Sequence, residues 1–445
     1  MSIKHYTDPE LLEINTLENA IYMAMQNPSA YIDSETGTSD EQAFLIQMKN
    51  VTEQSGKKVF LVVHIRQMHH IEMLLGYENS RRLLAEVGHY LTALCGKFCV
   101  FRNAEDTFTI LLDEGKEEHI KGQIKKRFEQ DFHVSGNSIS LNEVMITLHY
   151  PRDFCSLAEY RALYGYLLEA AQNSGKQIFF EVDEAVKKDY YRRNKVEQAV
   201  DRAITENRFE VYYQPVYSTE KNDFVTLEAL SRLHHPELGW IAPDVFIQIA
   251  EKNHMIEQIT DLQFKRVCMF INEHRDLMKK LFNIKVNLSS LDLMRSDCSS
   301  HFIRMMDDMD IHHDWIQFEI TETVATEYNA GLGMVIDGFM AAGVRLCLDD
   351  FGSGYANLNT VMRLPFSAIK IDRTLLFDIC NDKKRAMFYQ SIVETFRRMG
   401  YSIVSEGVET EEEMSLLSSW GVDMIQGYYF SRPLPVDELL KLLNM

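Results

Sequence analysis

From Phe209 to the C-terminus, short apolar runs of strand length alternate with stretches of helical period. Eight such runs can be read, at residues 210–215, 224–230, 283–288, 316–320, 345–349, 368–371, 403–406 and 424–429. Amphipathic helices, at 243–254 and 261–273 for example, separate most of them. A chain that alternates strand and helix in this way covers a parallel sheet with its own helices, and eight repeats suffice to close a barrel. The fold class expected here is α/β, a TIM-type (βα)8-like barrel. Only a short turn separates the first two runs, so that pair departs from strict strand–helix order.

In such a barrel the reactive groups lie at the C-terminal ends of the strands. Reading those ends gives Glu228, Asn287, Glu319, Asp349, Asp350, Lys370, Glu406 and Gln426. Oxygen donors of this kind suit hard cations such as Mg²⁺ or Mn²⁺, and a set without His or Cys argues against zinc. The run from Val344 to Gly354 ends in two adjacent carboxylates and two glycines. Neighbouring strand residues point to opposite faces. Asp349 and Asp350 therefore share one site only if the strand stops between them and the chain turns, which Gly352 and Gly354 permit. Taken alone, this stretch reads equally as an exposed acidic turn. The recurrence of polar residues at strand ends favours a metal site.

The 445 residues are too many for one ordinary core, so more than one domain is expected. A net charge of −20 argues against a nucleic-acid polymer or an anionic membrane as partner. No apolar run approaches the roughly 20 residues of a membrane span. The start of the chain has no apolar leader, and the seven cysteines, Cys95 and Cys99 included, lack disulfide or zinc spacing. The expected location is cytoplasmic. The pairs His69-His70, His234-His235 and His312-His313 are not at helical ligand spacing and read as surface or satisfied side chains. Tyr428-Tyr429-Phe430 reads as a strand end that packs into the core.

Upstream, Asp8 caps and Pro9 opens a helix within residues 1–30. Residues 31–182 mix the two periods: strands at 59–63, 98–101, 108–112 and 144–148, helices at 74–94 and 157–172. This is an α+β or α/β domain. Residues 183–207 form one helical stretch without Pro or Gly, a stiff connector. The barrel then occupies 208–445.

Two resemblances sharpen this. The barrel region resembles an EAL-type cyclic di-GMP phosphodiesterase. It carries Glu228-Ala229-Leu230 with Arg232, Gln214-Pro215, Asn287-Leu288-Ser289, Glu319-Ile320-Thr321-Glu322, Asp349-Asp350-Phe351-Gly352-Ser353-Gly354, Lys370-Ile371-Asp372, Glu406-Gly407-Val408-Glu409 and Gln426-Gly427-Tyr428, in order. Ser353, often Thr in that family, keeps the hydroxyl. The resemblance implies hydrolysis of cyclic di-GMP to linear pGpG by a two-metal site. Glu228, Asn287, Glu319 and Asp349 would hold one Mg²⁺ or Mn²⁺, and Asp349, Asp350 and, through water, Glu406 the other. Such pairs stand about 3.5–4 Å apart and activate water. Lys370, Glu406 and Asp350 would be catalytic. Gln214, Leu230, Arg232, Glu409 and Gln426 would bind substrate. Glu322 would order the loop after Asp350 and link it to the face of a homodimer formed through the barrel. A cyclic di-GMP receptor without turnover is the alternative.

Residues 31–182 resemble the GGDEF fold of diguanylate cyclases in degenerate form. The signature hairpin falls at Ala104-Glu105-Asp106-Thr107-Phe108, without its glycines and with Thr at the acidic fourth position. His64 and Arg66 stand near the family's metal-binding aspartates, and Ile71 near its nucleotide-contacting Asn. The inhibitory Arg-x-x-Asp is absent from Cys95 to Phe98, and Asp33, Thr36 and Gly37 keep a trace of the early motif. A regulatory domain without cyclase chemistry is implied.

Overall fold

The computed structural model describes residues 31–53, 56–96, 98–175, 178–326, 330–353 and 364–444. The helix expected within 1–30 lies outside them. The chain divides into two compact units, Met1–Arg192 and Arg193–Met445.

The first unit has strands β1 (Lys58–Ile65), β2 (Val100–Ala104), β3 (Thr107–Asp113), β4 (Phe132–Val134), β5 (Asn137–Ile139), β6 (Glu143–Tyr150) and β7 (Phe179–Glu181). Five of them form one sheet in the order β2-β3-β1-β6-β7, with β1 antiparallel to both β3 and β6. The central strand is an unbroken apolar run because both its faces are covered. Val59, Leu61 and Val63 join one core, with Leu83, Val87 and Ile124 from the helices Tyr77–Cys95 and Glu117–Phe128. Phe60 and Val62 join another, with Phe44 and Leu163 from the helices Glu41–Glu53 and Leu157–Asn173. The single helix read at 74–94 is two, Met68–Leu75 and Tyr77–Cys95, broken where Gly76 takes a φ of +77°. The helix Glu184–Thr205 continues past the division of the chain. Val186 and Tyr190 pack with the first unit's core, and Val196, Ala199 and Val200 are buried in the second.

The second unit has β8 (Glu210–Ser218), β9 (Asp223–His235), β10 (Gly239–Ile241), β11 (Asn283–Leu288), β12 (Ile316–Thr321), β13 (Arg345–Phe351), β14 (Ala368–Ile371), β15 (Ser402–Ser405) and β16 (Met424–Ile425). Their order is β10-β9-β11-β12-β13-β14-β15-β16-β8, and β8 also pairs with β9, so eight strands close into a barrel with β10 as an outlier. Pairings from β9 through β16 are parallel, whereas β8 is antiparallel to both its neighbours. That is the consequence of the short turn between the first two runs, since a hairpin joins only antiparallel strands.

The two faces of each barrel strand carry different chemistry. Ile284, Val286, Phe318, Ile320, Leu346, Leu348, Ile369 and Ile371 face the helices and form the main core. The residues between them, Lys285, Asn287, Gln317, Glu319, Cys347, Asp349 and Lys370, therefore face the barrel axis, as a period of two requires.

The last strand corrects the sequence reading. It ends at Ile425, and Tyr428 and Tyr429 are exposed; only Phe430 packs, stacked on Tyr217 with ring centroids 4.3 Å apart. The chain crosses the Val408 backbone at Gly427. A Cβ there would lie 2.1 Å from Val408 O, so only glycine can make the crossing that ends the ladder.

Candidate active site

Lys370 is the centre of the barrel mouth. Its Nζ lies 3.2 Å from Glu228 Oε2, 3.0 Å from Glu319 Oε2, 3.0 Å from Asp349 Oδ1 and 2.7 Å from Glu406 Oε1. Four strands, β9, β12, β13 and β14, and the residue just after β15 thus deliver one ammonium and four carboxylates to one point. Lys370 and Glu319 are each 1% exposed, so these charges meet away from water.

Asp350 arrives by a route different from the one expected. The strand does not stop at Asp349; it runs on to Phe351. Its pairing with β14 shifts register between Leu348 and Phe351, and Asp350 takes a φ of +55°. This bulge rotates one residue out of alternation, as bulges do. Asp is among the few side chains that tolerate the left-handed region. The Asp350 N–H donates to Asp349 Oδ1 at 2.9 Å, which fixes the pair. Gly352, at φ +95°, completes the turn. Gly354 lies outside the described residues.

Two groups of carboxylates result, Glu228 with Glu319 and Asp349, and Asp349 with Asp350 and Glu406. In each, one oxygen per residue lies within 4.8 Å of the others. Asp349 belongs to both. Among the described residues these are the groups of acidic, His or Cys side chains close enough to hold an ion. Asn287 is positioned beside the first, its Nδ2 donating to Glu228 Oε1 at 3.0 Å.

The local fields differ sharply. Burial opposes the charge of Glu228, but Lys370, the Gln426 amide, Lys285 and Asn287 outweigh it and hold the carboxyl down at about 2. Burial pushes Glu319 up to about 7 even with two lysines near it, because Glu228 and Asp349 add repulsion. Asp350 is pushed up to about 6 by burial and by Asp349. Burial and the neighbouring carboxylates also raise Glu406 well above the carboxylate range, against the pull of Lys370. Burial works against the charge of Lys370, but the surrounding carboxylates, Asp349 foremost, raise it well above an ordinary lysine. Two lysines do not neutralise five carboxylates, and Glu319 Oε1 has no hydrogen-bond partner. The donor set, all oxygen and short of positive charge, fits a hard divalent cation.

The sequence reading missed Lys285. It is fully buried on β11, two residues before Asn287 and on the same face, and its Nζ lies 3.1 Å from Glu319 Oε1. The signal was a lysine inside an apolar run, at the spacing that shares a face with a site residue.

The remaining candidates line the mouth unevenly. Gln426 Nε2 donates to Glu228 Oε2 at 2.6 Å and to Gln214 Oε1 at 3.1 Å, and Gln214 Nε2 donates to Ser431 O. Arg232 is half-buried, with its guanidinium 5.7 Å from the Tyr212 ring centroid. Leu230 is half-buried. Glu409 is exposed, and its backbone N–H donates to Glu413 Oε2. Glu322 is buried at the end of β12, and its Oε2 accepts the Gly352 N–H at 2.9 Å, two residues beyond Asp350. The histidine pairs stand apart from the site. His69 and His70 are exposed, His234 packs on Trp240, and His313 binds Asp307 Oδ1 and Ala342 O.

An eight-stranded α/β barrel with an acidic mouth that could hold a divalent cation defines the class. The model of the EAL domain matches residues 197–433, more than half of the chain, and the chain belongs to that family. EAL domains are metal-dependent. Among curated proteins the chain is 26% identical over 442 residues to the cyclic di-GMP phosphodiesterase NbdA of Pseudomonas aeruginosa, covering 97% of this chain and 56% of that protein. It is 26% identical over 384 residues to the bifunctional diguanylate cyclase/cyclic di-GMP phosphodiesterase MucR of the same organism, covering 86% and 55%. The chain thus spans a little over half the length of these relatives. Among solved structures, the PaMucR phosphodiesterase in complex with c-di-GMP matches with a TM-score of 0.53 at 30% identity, covering 55% of this chain and all of that one. Among the described residues, no helix is long and apolar enough to cross a membrane.

Proposed function

We propose that the barrel hydrolyses cyclic di-GMP to linear pGpG with Mg²⁺ or Mn²⁺. The observation that carries this is the pair of carboxylate groups sharing Asp349 around Lys370, in a chain of the EAL family. Glu228, Asn287, Glu319 and Asp349 would hold one ion, and Asp349, Asp350 and, through water, Glu406 a second. When bound, such ions stabilise charge on the phosphodiester and make water a stronger nucleophile at neutral pH. Glu406 accepts the proton of the attacking water. Lys370, 2.7 Å from Glu406 Oε1, keeps that carboxylate turned into the mouth. The water oxygen bonds to phosphorus, the P–O3′ bond breaks, and the 3′ oxygen takes up a proton. Arg232 supplies the positive charge for a phosphate, while Gln214, Gln426, Leu230 and Glu409 engage the rest of the dinucleotide.

The first unit serves as a regulatory, catalytically silent relative of the cyclase fold. Support comes from the hairpin between β2 and β3. Where a nucleotide would need glycine and free carboxylates, Glu105 is engaged by Arg81, and Asp106 lies 3.4 Å from His64 Nδ1. The barrel forms a homodimer, for which the exposed Phe377, Met387 and Phe388 offer an apolar surface.

Incubating the protein with cyclic di-GMP and Mg²⁺ or Mn²⁺, then resolving the nucleotides, tests the central claim. Linear pGpG is expected. Tight binding with the ligand left intact under both metals would establish a receptor instead.

A further inference from the structure

The geometry points to Lys285 as a built-in counter-ion that competes with the divalent cation for Glu319, lowers the metal affinity of the first carboxylate group and keeps the metal-free barrel folded. This rests on the metal-site reading above and concerns a residue outside the proposed ligand set. Three observations support it. Lys285 is fully buried and its Nζ has no hydrogen-bond partner, so its nearest compensation is Glu319 Oε1 at 3.1 Å. The other oxygen of Glu319 faces Lys370 at 3.0 Å, so the two lysines divide the carboxylate between them. Finally, five carboxyl groups, Glu228, Glu319, Asp349, Asp350 and Glu406, gather around two ammonium groups, Lys285 and Lys370.

A divalent cation among the same oxygens meets the fixed charge of Lys285 a few ångströms away. Charge repulsion at that range in a buried setting is strong. A neutral side chain at position 285 removes the repulsion and leaves the metal as the main source of compensation. The expected sign is therefore tighter metal binding and weaker metal-free stability.

The test uses the full chain at a pH of about 8, where the carboxylates are ionised once metal is present. Mn²⁺ binding is followed by the electron paramagnetic resonance of the free ion, and thermal unfolding is recorded with and without Mn²⁺. Lys285→Met and Lys285→Gln should bind Mn²⁺ at least about tenfold more tightly than the unaltered protein. They should melt lower without metal and gain more from its addition. Variants that fold only when Mn²⁺ is present would be the strongest form of the same result. Equal or weaker Mn²⁺ binding by a folded variant overturns the inference, as does a failure of both variants to fold even with Mn²⁺. If the unaltered protein binds no Mn²⁺, the metal-site reading itself falls, and that outcome is separate from the behaviour of the variants.

Discussion

At the scale of single residues, the proposed function gives the carboxylates of the barrel mouth different roles. Glu406→Gln keeps the shape of the side chain and removes the charge needed to take a proton. Turnover should fall ~10²–10⁴-fold, while binding of cyclic di-GMP, assigned in the proposed function to Gln214 and Arg232, should persist. Glu228→Gln should instead weaken metal binding, so added Mg²⁺ or Mn²⁺ partly restores its turnover. Turnover and ligand binding measured across a metal titration distinguish the two, and near-normal turnover in Glu406→Gln would remove that residue from catalysis. The fields also fix a pH dependence. Glu319 and Asp350 are raised to about 7 and about 6, so between the ordinary carboxylate range and those values the folded, metal-free protein binds more protons than the unfolded chain. Stability without metal then declines as pH rises through that window. A bound cation needs the same groups ionised, so the increase in melting temperature caused by Mg²⁺ should grow from about pH 5 to about pH 8. A constant increment would contradict this. Most of these residues were legible in the sequence as polar side chains near the C-terminal end of an apolar run, although Glu228 lies mid-strand because β9 continues to His235. Lys285 was not, because it sits inside its run, where a strand reading takes it for an outlier.

At the scale of elements, all eight barrel runs fall on strands, five of them to within two residues at both ends, since alternation against covering helices writes a strong pattern, while β8 and β9 run on past their expected ends. The failures are places where the backbone leaves that pattern. The bulge at Asp350 depends on a positive φ at a non-glycine residue, which no periodicity encodes. The break at Gly76 hides within a run of helical period, and β16 is cut short by the close approach of Gly427 to Val408. The bulge also makes Asp350 dependent on its neighbours. Glu322 reaches from the end of β12 to the Gly352 N–H, tying the turn beyond Asp350 to the next strand of the barrel. Glu322→Ala removes that acceptor without touching a proposed ligand. It should lower turnover at saturating metal by about 10–100-fold, the scale of a small misplacement of reacting groups. The affinity of the first carboxylate group for Mn²⁺ should stay unchanged. Glu322→Gln, whose amide oxygen can still accept the bond, should recover much of the loss. If alanine and glutamine behave alike, the hydrogen bond does not matter.

At the scale of the whole molecule, two compact units share one chain, and they were legible to different degrees. The barrel announces itself through strand ends that carry chemistry. Among the first unit's described residues, no group of three acidic, His or Cys side chains is close enough to hold an ion. Incubation with GTP and Mg²⁺ should therefore yield no cyclic di-GMP above background. The regulatory role proposed for this unit is open to a direct test, because the helix Glu184–Thr205 has residues in the core of each unit. A shortened chain of residues 193–445 keeps every carboxylate of the mouth, so it should still hydrolyse cyclic di-GMP, at a rate that differs from the full chain. Assembly supplies the second half of the test. Phe377 is 69% and Phe388 58% exposed, and the proposed homodimer would cover them. Light scattering should report a dimer at micromolar concentration, and Phe377→Ser with Phe388→Ser should shift it to monomer. If the double variant is monomeric and turns over at the full rate, assembly has no part in catalysis. If the unaltered chain is itself monomeric and fully active, Glu322 orders its turn without help from a partner.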